Sequence, residues 1–495
     1  MKRKDHKSIP ISKDIDKNLK IIDDFIGHNS DVIKRKFKIK DFNIKATIIY
    51  INGLADQTQI NQQILKSMML ESLENSTENN IIDKISEKII TISNVSKIDS
   101  LNQCIYDILS GNTVLLIADS KKGLSLATQA WEGRDISESS TEPTVKGPKD
   151  SFTETLKTNI VHLRRRIKDP NFILDKFNIG RRSKTDLVVT YIKDIANEEL
   201  VNEVKKRIEK IDIDSALSSG YIEQLIEDDF LSPFPQVLST ERPDKVVSAL
   251  MEGRVAILLD TDPFALIVPA NMSMFIQSPS DYNERWIFAS LIRLLRYVIS
   301  FIALYLPSLY IALIAFHQGL IPTKLAISIA ASREGVPFPS LIEALIMEGT
   351  LEILREAGVR LPRAIGQAVG IVGGLVIGEA AVSAGIVSPI MVIVVALTAI
   401  SSFAIPQYSL GISFRILRFG IMLAAGFLGL YGILLSFILI SVHIVKLKSF
   451  GTEYTNPLIP YRPKDWKDCI IRKPIMSMKN RPEMLKPKDI KRKGD

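Results

Sequence analysis

Between Gly366 and Pro389 the chain reads GQAVGIVGGLVIGEAAVSAGIVSP, with Gly366, Gly370, Gly374 and Gly378 at every fourth position. Ala381, Ala384 and Gly385 continue the same side. On a helix these positions form one stripe with almost no side chain. In water each such glycine weakens a helix by about 1 kcal/mol relative to alanine. In lipid a helix satisfies its own backbone in any case, and a small-residue stripe lets two helices approach closely. The stretch is therefore expected to be a membrane helix packed through Gly366, Gly370, Gly374 and Gly378. Glu379 lies on roughly the opposite side, with Val372, Val376, Ser383 and Ile386 at helical spacing around it. A carboxylate facing lipid costs about 2.5–3.5 kcal/mol or more, so Glu379 is expected to face protein or water. Two readings stand: a pore lining, or a protonated carboxyl bonded to a neighbouring helix.

Over its 495 residues the chain is 46% hydrophobic and 24% charged, and those averages hide a charged front half and an apolar back half. The N-terminus, MKRKDHKSIPISKDIDKNLK, lacks the apolar core of a cleavable signal peptide. Cys104 and Cys469 lie far apart and the five histidines have no ligand spacing, so no disulfide framework, metal site or cofactor is expected. The net charge of +8 is local, because residues 446–495 hold 14 Lys/Arg against 6 Asp/Glu. A basic tail directly after a membrane span is positive-inside behaviour, which excludes nucleic acid as the partner.

Residues 1–36 are Lys/Asp-rich and are expected to form a polar, mobile N-terminus. From Phe37 the pattern is globular. IKATIIYINGLAD (Ile44–Asp56) reads as a buried strand leading to a helix over Gln59–Leu73, and a helix over Ile98–Leu109 runs into the strand GNTVLLIAD (Gly111–Asp119). The same order recurs in DLVVTYIKDIANEE (Asp186–Glu199), a helix over Leu200–Ile211, a helix over Asp244–Glu252 and the strand GRVAILLD (Gly253–Asp260). Tyr50 and Tyr191 lie 141 residues apart, as do Asp119 and Asp260. Equal offsets at two anchors point to a duplication. The expected fold is thus two related α/β subdomains, 37–130 and 186–285 with its pre-membrane segment, joined by a linker and helix over 131–185.

The helix over Phe152–Ile167 ends in Arg164, Arg165 and Arg166. Three arginines suit phosphate or carboxylate binding, but more often form a solvated or inter-subunit face, and the second reading is favoured. No glycine loop follows a strand to cradle phosphate, and no nucleophile motif assembles. The sequence holds no catalytic constellation, so an enzyme is not expected.

The back half, 286–445, reads as an all-α polytopic membrane domain. Spans are expected at about 287–316, 366–387, 390–405 and 416–445, the first with Arg293 and Arg296 near its start and a kink at Pro307. Tyr282 and Trp286 before it suit the headgroup level. Ser340 and Glu343 suggest a capping box opening an amphipathic helix over 340–357, closed by Gly358. Its Glu348, Glu352, Arg355 and Glu356 share one face, and Ile342, Ile346, Leu351, Ile353 and Leu354 the other. Such a helix lies in an interface or against the bundle, or inserts part-way as a re-entrant element where other helices shield its charges. An even number of spans puts both termini on one side, and the basic tail, 446–495, makes that side cytoplasmic.

Several motifs carry a family resemblance: VKGPKDSFTETLKTNIVHLRRRI, SPFPQVLSTERPDKVVSALMEGRVAILLD, SPSDYNERW, REGVPFPSLIEALIME, LREAGVRLPRAIGQAVGIVGGLVIGEAAVSAGIVSP and TNPLIPYRPKDW. From about Phe37 to Pro463 the chain resembles the A subunit of the spore germination receptors of the GerA family. The resemblance implies a multi-pass protein of the spore inner membrane, beside a permease-like B subunit that binds the nutrient and a lipoprotein C subunit. It further implies a ring of A subunits, a pentamer, forming a nutrient-gated channel for monovalent cations. In that ring Val372, Val376, Glu379 and Ser383 are the expected pore lining. Two other readings stay open: a transporter, and a non-conducting sensory or scaffolding receptor subunit.

Overall fold

The computed structural model describes residues 8–40, 44–70, 81–130, 141–144, 146–362, 374 and 376–493. Five strands, β1 (Val32–Lys38), β2 (Lys45–Ile51), β3 (Val95–Ile98), β4 (Thr113–Ile117) and β5 (Gly123–Leu126), form an antiparallel sheet in the order β1-β2-β4-β5-β3. A second sheet repeats this arrangement with β6 (Phe172–Ile179), β7 (Thr185–Ile192), β8 (Leu238–Thr240), β9 (Val255–Leu259) and β10 (Ala265–Val268), in the order β6-β7-β9-β10-β8. β4 and β9 are buried at every residue, because helices cover both sheet faces. This is why TVLLI and VAILL read as continuous apolar runs rather than alternating ones.

The duplication is larger than the sequence suggests. Residues 8–36, expected as mobile, are folded. Helix α1 (Ile15–Ile26) buries Ile15, Leu19, Ile22 and Ile26, at the i, i+4, i+7, i+11 spacing of one helical face, and its lysines and aspartates lie on the remaining faces. With helix α2 (Leu101–Leu109) it covers one face of the first sheet. Averaged composition hid that face. The expected linker, in turn, supplies helix α3 (Leu156–Arg166) and β6, the counterparts of α1 and β1.

Local hydrogen bonds give the correspondence. Asn18 accepts from Ser12 N at 2.8 Å through Oδ1 and donates to Ser12 O at 2.6 Å through Nδ2. Asn159, 141 residues on, does the same with Thr153, at 2.8 and 2.6 Å. Asp56 and Asn197, again 141 apart, cap the helices after β2 and β7, the second being α4 (Glu198–Glu209). From just before β4 and β9 the offset is 142: Gly111 (φ +96°) matches Gly253 (φ +101°), and Asp119 (φ 63°) matches Thr261 (φ 71°). The aspartate anchor is therefore one residue out. The counterpart of Asp260 is Ala118, and their amides donate to the equivalent carbonyls of Asp186 and Lys45 at 2.9 Å each.

Arg164 is neither solvated nor aimed at a ligand. Fully buried, it forms a bidentate pair with Asp31, at 2.9 Å to each oxygen, and donates to Phe172 O at 3.3 Å, which locks the first unit to the second. Arg166 pairs with Asp150.

The helical region comprises α7 (Trp286–Ala315), α8 (Thr323–Arg333), α9 (Ser340–Arg360), a helical stretch over 376–383, α10 (Pro389–Phe403) and α11 (Tyr408–Lys446), following α5 (Ser219–Ile226) and α6 (Pro243–Glu252) of the second sheet unit. Among the described residues α7 and α11 are long and apolar enough to cross a membrane. The expected single span over 416–445 is not one rod. At Gly429 (φ +60°, ψ −140°) α11 turns back on itself. Ala424 and Gly432 would be about 12 Å apart on a straight helix, yet a Cβ on Gly432 would fall 2.1 Å from the Ala424 carbonyl oxygen. Ser413 donates to Pro233 O and His443 bonds Ser232 Oγ at 2.8 Å, so both arms of α11 end at the same loop of the second sheet unit.

The 446–495 tail is also more than a charge. Tyr454 is fully buried and its carbonyl accepts from Met272 N at 2.9 Å, while Ser449 Oγ accepts from Ala270 N at 3.0 Å. Arg472 donates to Glu284 O at 2.8 Å, and Arg293 on α7 donates to Asp468 Oδ1 at 2.9 Å. The tail thus clamps the start of α7 to the second sheet. Tyr282, expected at headgroup level, turns inward and donates to Asp468 Oδ2 at 2.6 Å. Burial, and then the Asp468 charge, hold its phenol well above its ordinary pKa.

Because Asn18 and Asn159 occupy one role in the two units, Asn18→Ala and Asn159→Ala should each lower stability by about 1–3 kcal/mol. Thermal unfolding of the purified variants checks this, and a loss confined to one of them would contradict the equivalence.

Candidate functional site

The helical region is packed with charge inside and hydrocarbon outside. Glu343, Glu348, Arg293 and Arg418 are at most 1% exposed, whereas Ile353, Ile393, Phe403, Phe427 and Leu439 are all at least 65% exposed. Helix α9 shows this inversion best. Glu348 and Glu352 of its acidic face turn into the bundle to meet α11, Glu356 stays exposed, and Ile342, Ile346 and Ile353 of its apolar face are exposed. No capping box forms, because Glu343 is committed elsewhere, and the helix runs past Gly358 to Arg360.

At the centre of the bundle stands Arg418. It donates to Glu348 Oε2 at 2.7 Å, to Ala303 O at 2.8 Å, and to Ser402 Oγ. The Ala303 carbonyl is available because Pro307, four residues on in α7, has no amide proton to give it. One guanidinium thus joins α7, α9, α10 and α11 and repairs the backbone gap that proline opens. One turn along, Glu352 pairs with Arg415 and with Arg355 at 3.0 Å each. Toward the other end Glu343 pairs with Arg333 of α8 at 2.7 Å and accepts from Ser388 N at 2.9 Å. Ser388 caps α10, and its hydroxyl lies 3.2 Å from Tyr310 Oη.

Of the residues singled out by the sequence, Gly366, Gly370 and Val372 lie outside the described residues. Gly378 is buried against α10, where an added Cβ would lie 3.5 Å from Val392 Cγ1. Gly374 is exposed, with nothing within 4 Å of an added Cβ. Val376, Glu379 and Ser383 are exposed. The Arg418 centre was missed because Arg415 and Arg418 read as the flank of a span and Glu348 as part of a surface face. The signal was present: two acids on α9 and two arginines on α11 at helical spacing, within segments too apolar to leave a charge unpaired. Among the described residues no three His, Cys, Asp or Glu side chains gather as a metal site.

The sequence pattern of the Bacillus/Clostridium GerA spore germination protein family matches residues 20–484. This chain belongs to that family. It is 44% identical over 481 residues to spore germination protein B1 of Bacillus subtilis (strain 168), covering 97% of this chain and 99% of that protein. It is 45% identical to spore germination protein KA of the same organism, covering 98% and 89%. Among solved structures it is similar to the N-terminal domain of the A subunit of the Bacillus megaterium spore germinant receptor GerK3, at 38% identity and a TM-score of 0.44, over 54% of this chain and 98% of that one.

In this GerA-family chain Arg418→Met should leave Glu348 buried without its partner and cost about 3–5 kcal/mol. The double variant Arg418→Met, Glu348→Met should recover most of that loss. Pro307→Ala should also soften Arg418→Met, since alanine returns an amide to the Ala303 carbonyl. Melting temperatures in detergent measure all three, and an unchanged melting temperature for Arg418→Met would remove Arg418 from the centre of the bundle.

Proposed function

We propose that this chain is the A subunit of a nutrient-responsive spore germination receptor, and that it assembles as a ring, a pentamer, forming a nutrient-gated cation channel in the spore inner membrane. A permease-like B subunit and a lipoprotein C subunit are its partners in this reading. The observation that carries it is the exposed face of the 376–383 helix: Val376, Glu379 and Ser383 face outward while Gly378 packs inward on α10. A charged side chain on the outside of a membrane helix needs water or a partner subunit. A ring of such faces around a lumen supplies both, with Glu379 favouring cations and Val372 and Val376 closing the lumen by dewetting.

Reconstituted protein should then conduct monovalent cations in a planar bilayer. Val376→Ala should widen the constriction and give germination without nutrient, whereas Gly378→Leu should abolish assembly by holding the 376–383 helix off α10. Loss of assembly in the valine variant with altered gating in the glycine one would reverse the assignment of the two faces.

The chain path supports an even number of passes, because α7 leaves the second sheet unit and α11 returns to it. Both termini lie in the cytoplasm in this reading. Cysteines placed at Lys20 and Asn480, both exposed, should label only with a membrane-permeable reagent. A transporter remains the second reading, favoured by the break at Gly429, since helices broken within the membrane build substrate sites. Uptake of a labelled nutrient without conductance would select it.

A further inference from the structure

The loop between α5 and β8 ends in two large apolar side chains, Phe230 at 77% exposure and Leu231 at 79%. Among the described residues no large apolar side chain is more exposed, the membrane-type helices included. The acids beside them are each held by a hydrogen bond or ion pair. Glu227 accepts from Gln236 N at 3.1 Å, Asp228 pairs with Arg207 at 2.7 Å and accepts from Phe450 N at 2.6 Å, and Asp229 accepts from Leu231 N at 3.1 Å. Phe230 and Leu231 thus project beyond acids that are each held by a hydrogen bond or ion pair.

Its height is fixed by the next three residues. Ser232 bonds His443 at 2.8 Å, Pro233 O accepts from Ser413, and the Phe234 and His443 rings lie 6.1 Å apart. Consecutive Cα atoms are about 3.8 Å apart, so Leu231 stands beside the sheet-side ends of both arms of α11. Within about a turn of those contacts α11 exposes Ile416 at 60% and Leu439 at 69%, the beginning of its apolar outer band. Trp286, Ile287 and Phe288 are exposed at the first turn of α7, and Tyr221 and Leu225, one turn apart on α5, carry apolar surface back from the loop. Aromatic and apolar side chains at the ends of spanning helices belong at the lipid–water boundary.

We propose that Phe230 and Leu231 insert into the surface of the bilayer that holds the helices, so that the second sheet unit is anchored to lipid as well as to the helical region. Lipid is the occupant because the tip is continuous with the apolar band of α11 and lies at its edge. The inference rests on the membrane reading given above. Insertion would reach about 5–10 Å into the boundary between headgroups and acyl chains. It would hold the sheet unit at a set distance from the membrane plane, with α11 as the lever between them.

The test uses the full chain in lipid nanodiscs with an environment-sensitive fluorophore on single cysteines at Leu231, Leu439 or Tyr106; the native Cys104 and Cys469 are buried. Lipids spin-labelled near the headgroup should lower the Leu231→Cys signal, and that of Leu439→Cys about a turn from the same contacts, roughly twofold, and should leave Tyr106→Cys unchanged. Quenching at Leu439→Cys with none at Leu231→Cys overturns the docking proposal alone. Absence of quenching at both positions overturns the membrane reading beneath it. A Leu231→Cys probe shielded from both lipid and aqueous quenchers means that a second copy or another subunit covers the tip, which also overturns it.

Discussion

The Arg418 guanidinium is the interaction on which the helical region depends. In the membrane reading proposed above, lipid offers the helices no hydrophobic drive to associate, so packing and polar bonds must hold them together. A buried arginine is expensive unless it is paired and hydrogen-bonded to acceptors in good geometry. Here Glu348, the Ala303 carbonyl and Ser402 supply those acceptors from three other helices. The cost of burying the charge is thereby tied to one arrangement of four helices, and a slip of any of them would strand either the charge or the carbonyl that Pro307 leaves open.

The same logic explains why α9 is inverted relative to a helix on a soluble protein. Glu343, Glu352 and Glu348 find partners toward the bundle, in Arg333, Arg415 and Arg418. In the membrane reading the apolar side chains of α9 lose nothing by facing lipid. In water the sheet units follow the opposite rule, with continuous apolar strands enclosed between helices and most lysines outside. Between the two regimes the chain places a dense polar junction, in which Arg293, Asp281, Asp468 and Arg472 hold the pre-membrane turn, the start of α7 and the tail together. Both ends of the helical region are thus fastened to one sheet unit. A displacement of that unit would be felt by α7 and by both arms of α11.

Much of this was legible in the residues themselves. The apolar strand runs, the repeat near 141 residues, the split between charged and apolar halves and the family motifs are all local signals, because side-chain periodicity and turn residues act over a few positions. The repeat anchors nevertheless slipped by one at Asp119, where a shared residue type stood in for a shared backbone role. Residues 8–36 were misread for a related reason: their average charge is that of a tail, but one face of α1 buries Ile15, Leu19, Ile22 and Ile26.

What the tertiary structure alone decided is which distant groups meet. Arg164 finds Asp31 across 133 residues and Arg418 finds Glu348 across 70, and no local pattern names either partner. The turn at Gly429 looked like one more glycine in an apolar run until Phe316 and His317 were seen packed where its Cβ would be. The basic tail carried a charge readable from the sequence, but its docking depends on a buried Tyr454 and an Arg472 that meets three backbone carbonyls. The sequence by itself determined the elements and their environments, since those follow from spacing and polarity along the chain. Pairing of buried charges, reversal of a helix and closure of the tail were settled only by the fold, because they depend on distances that the chain defines in space rather than along its length.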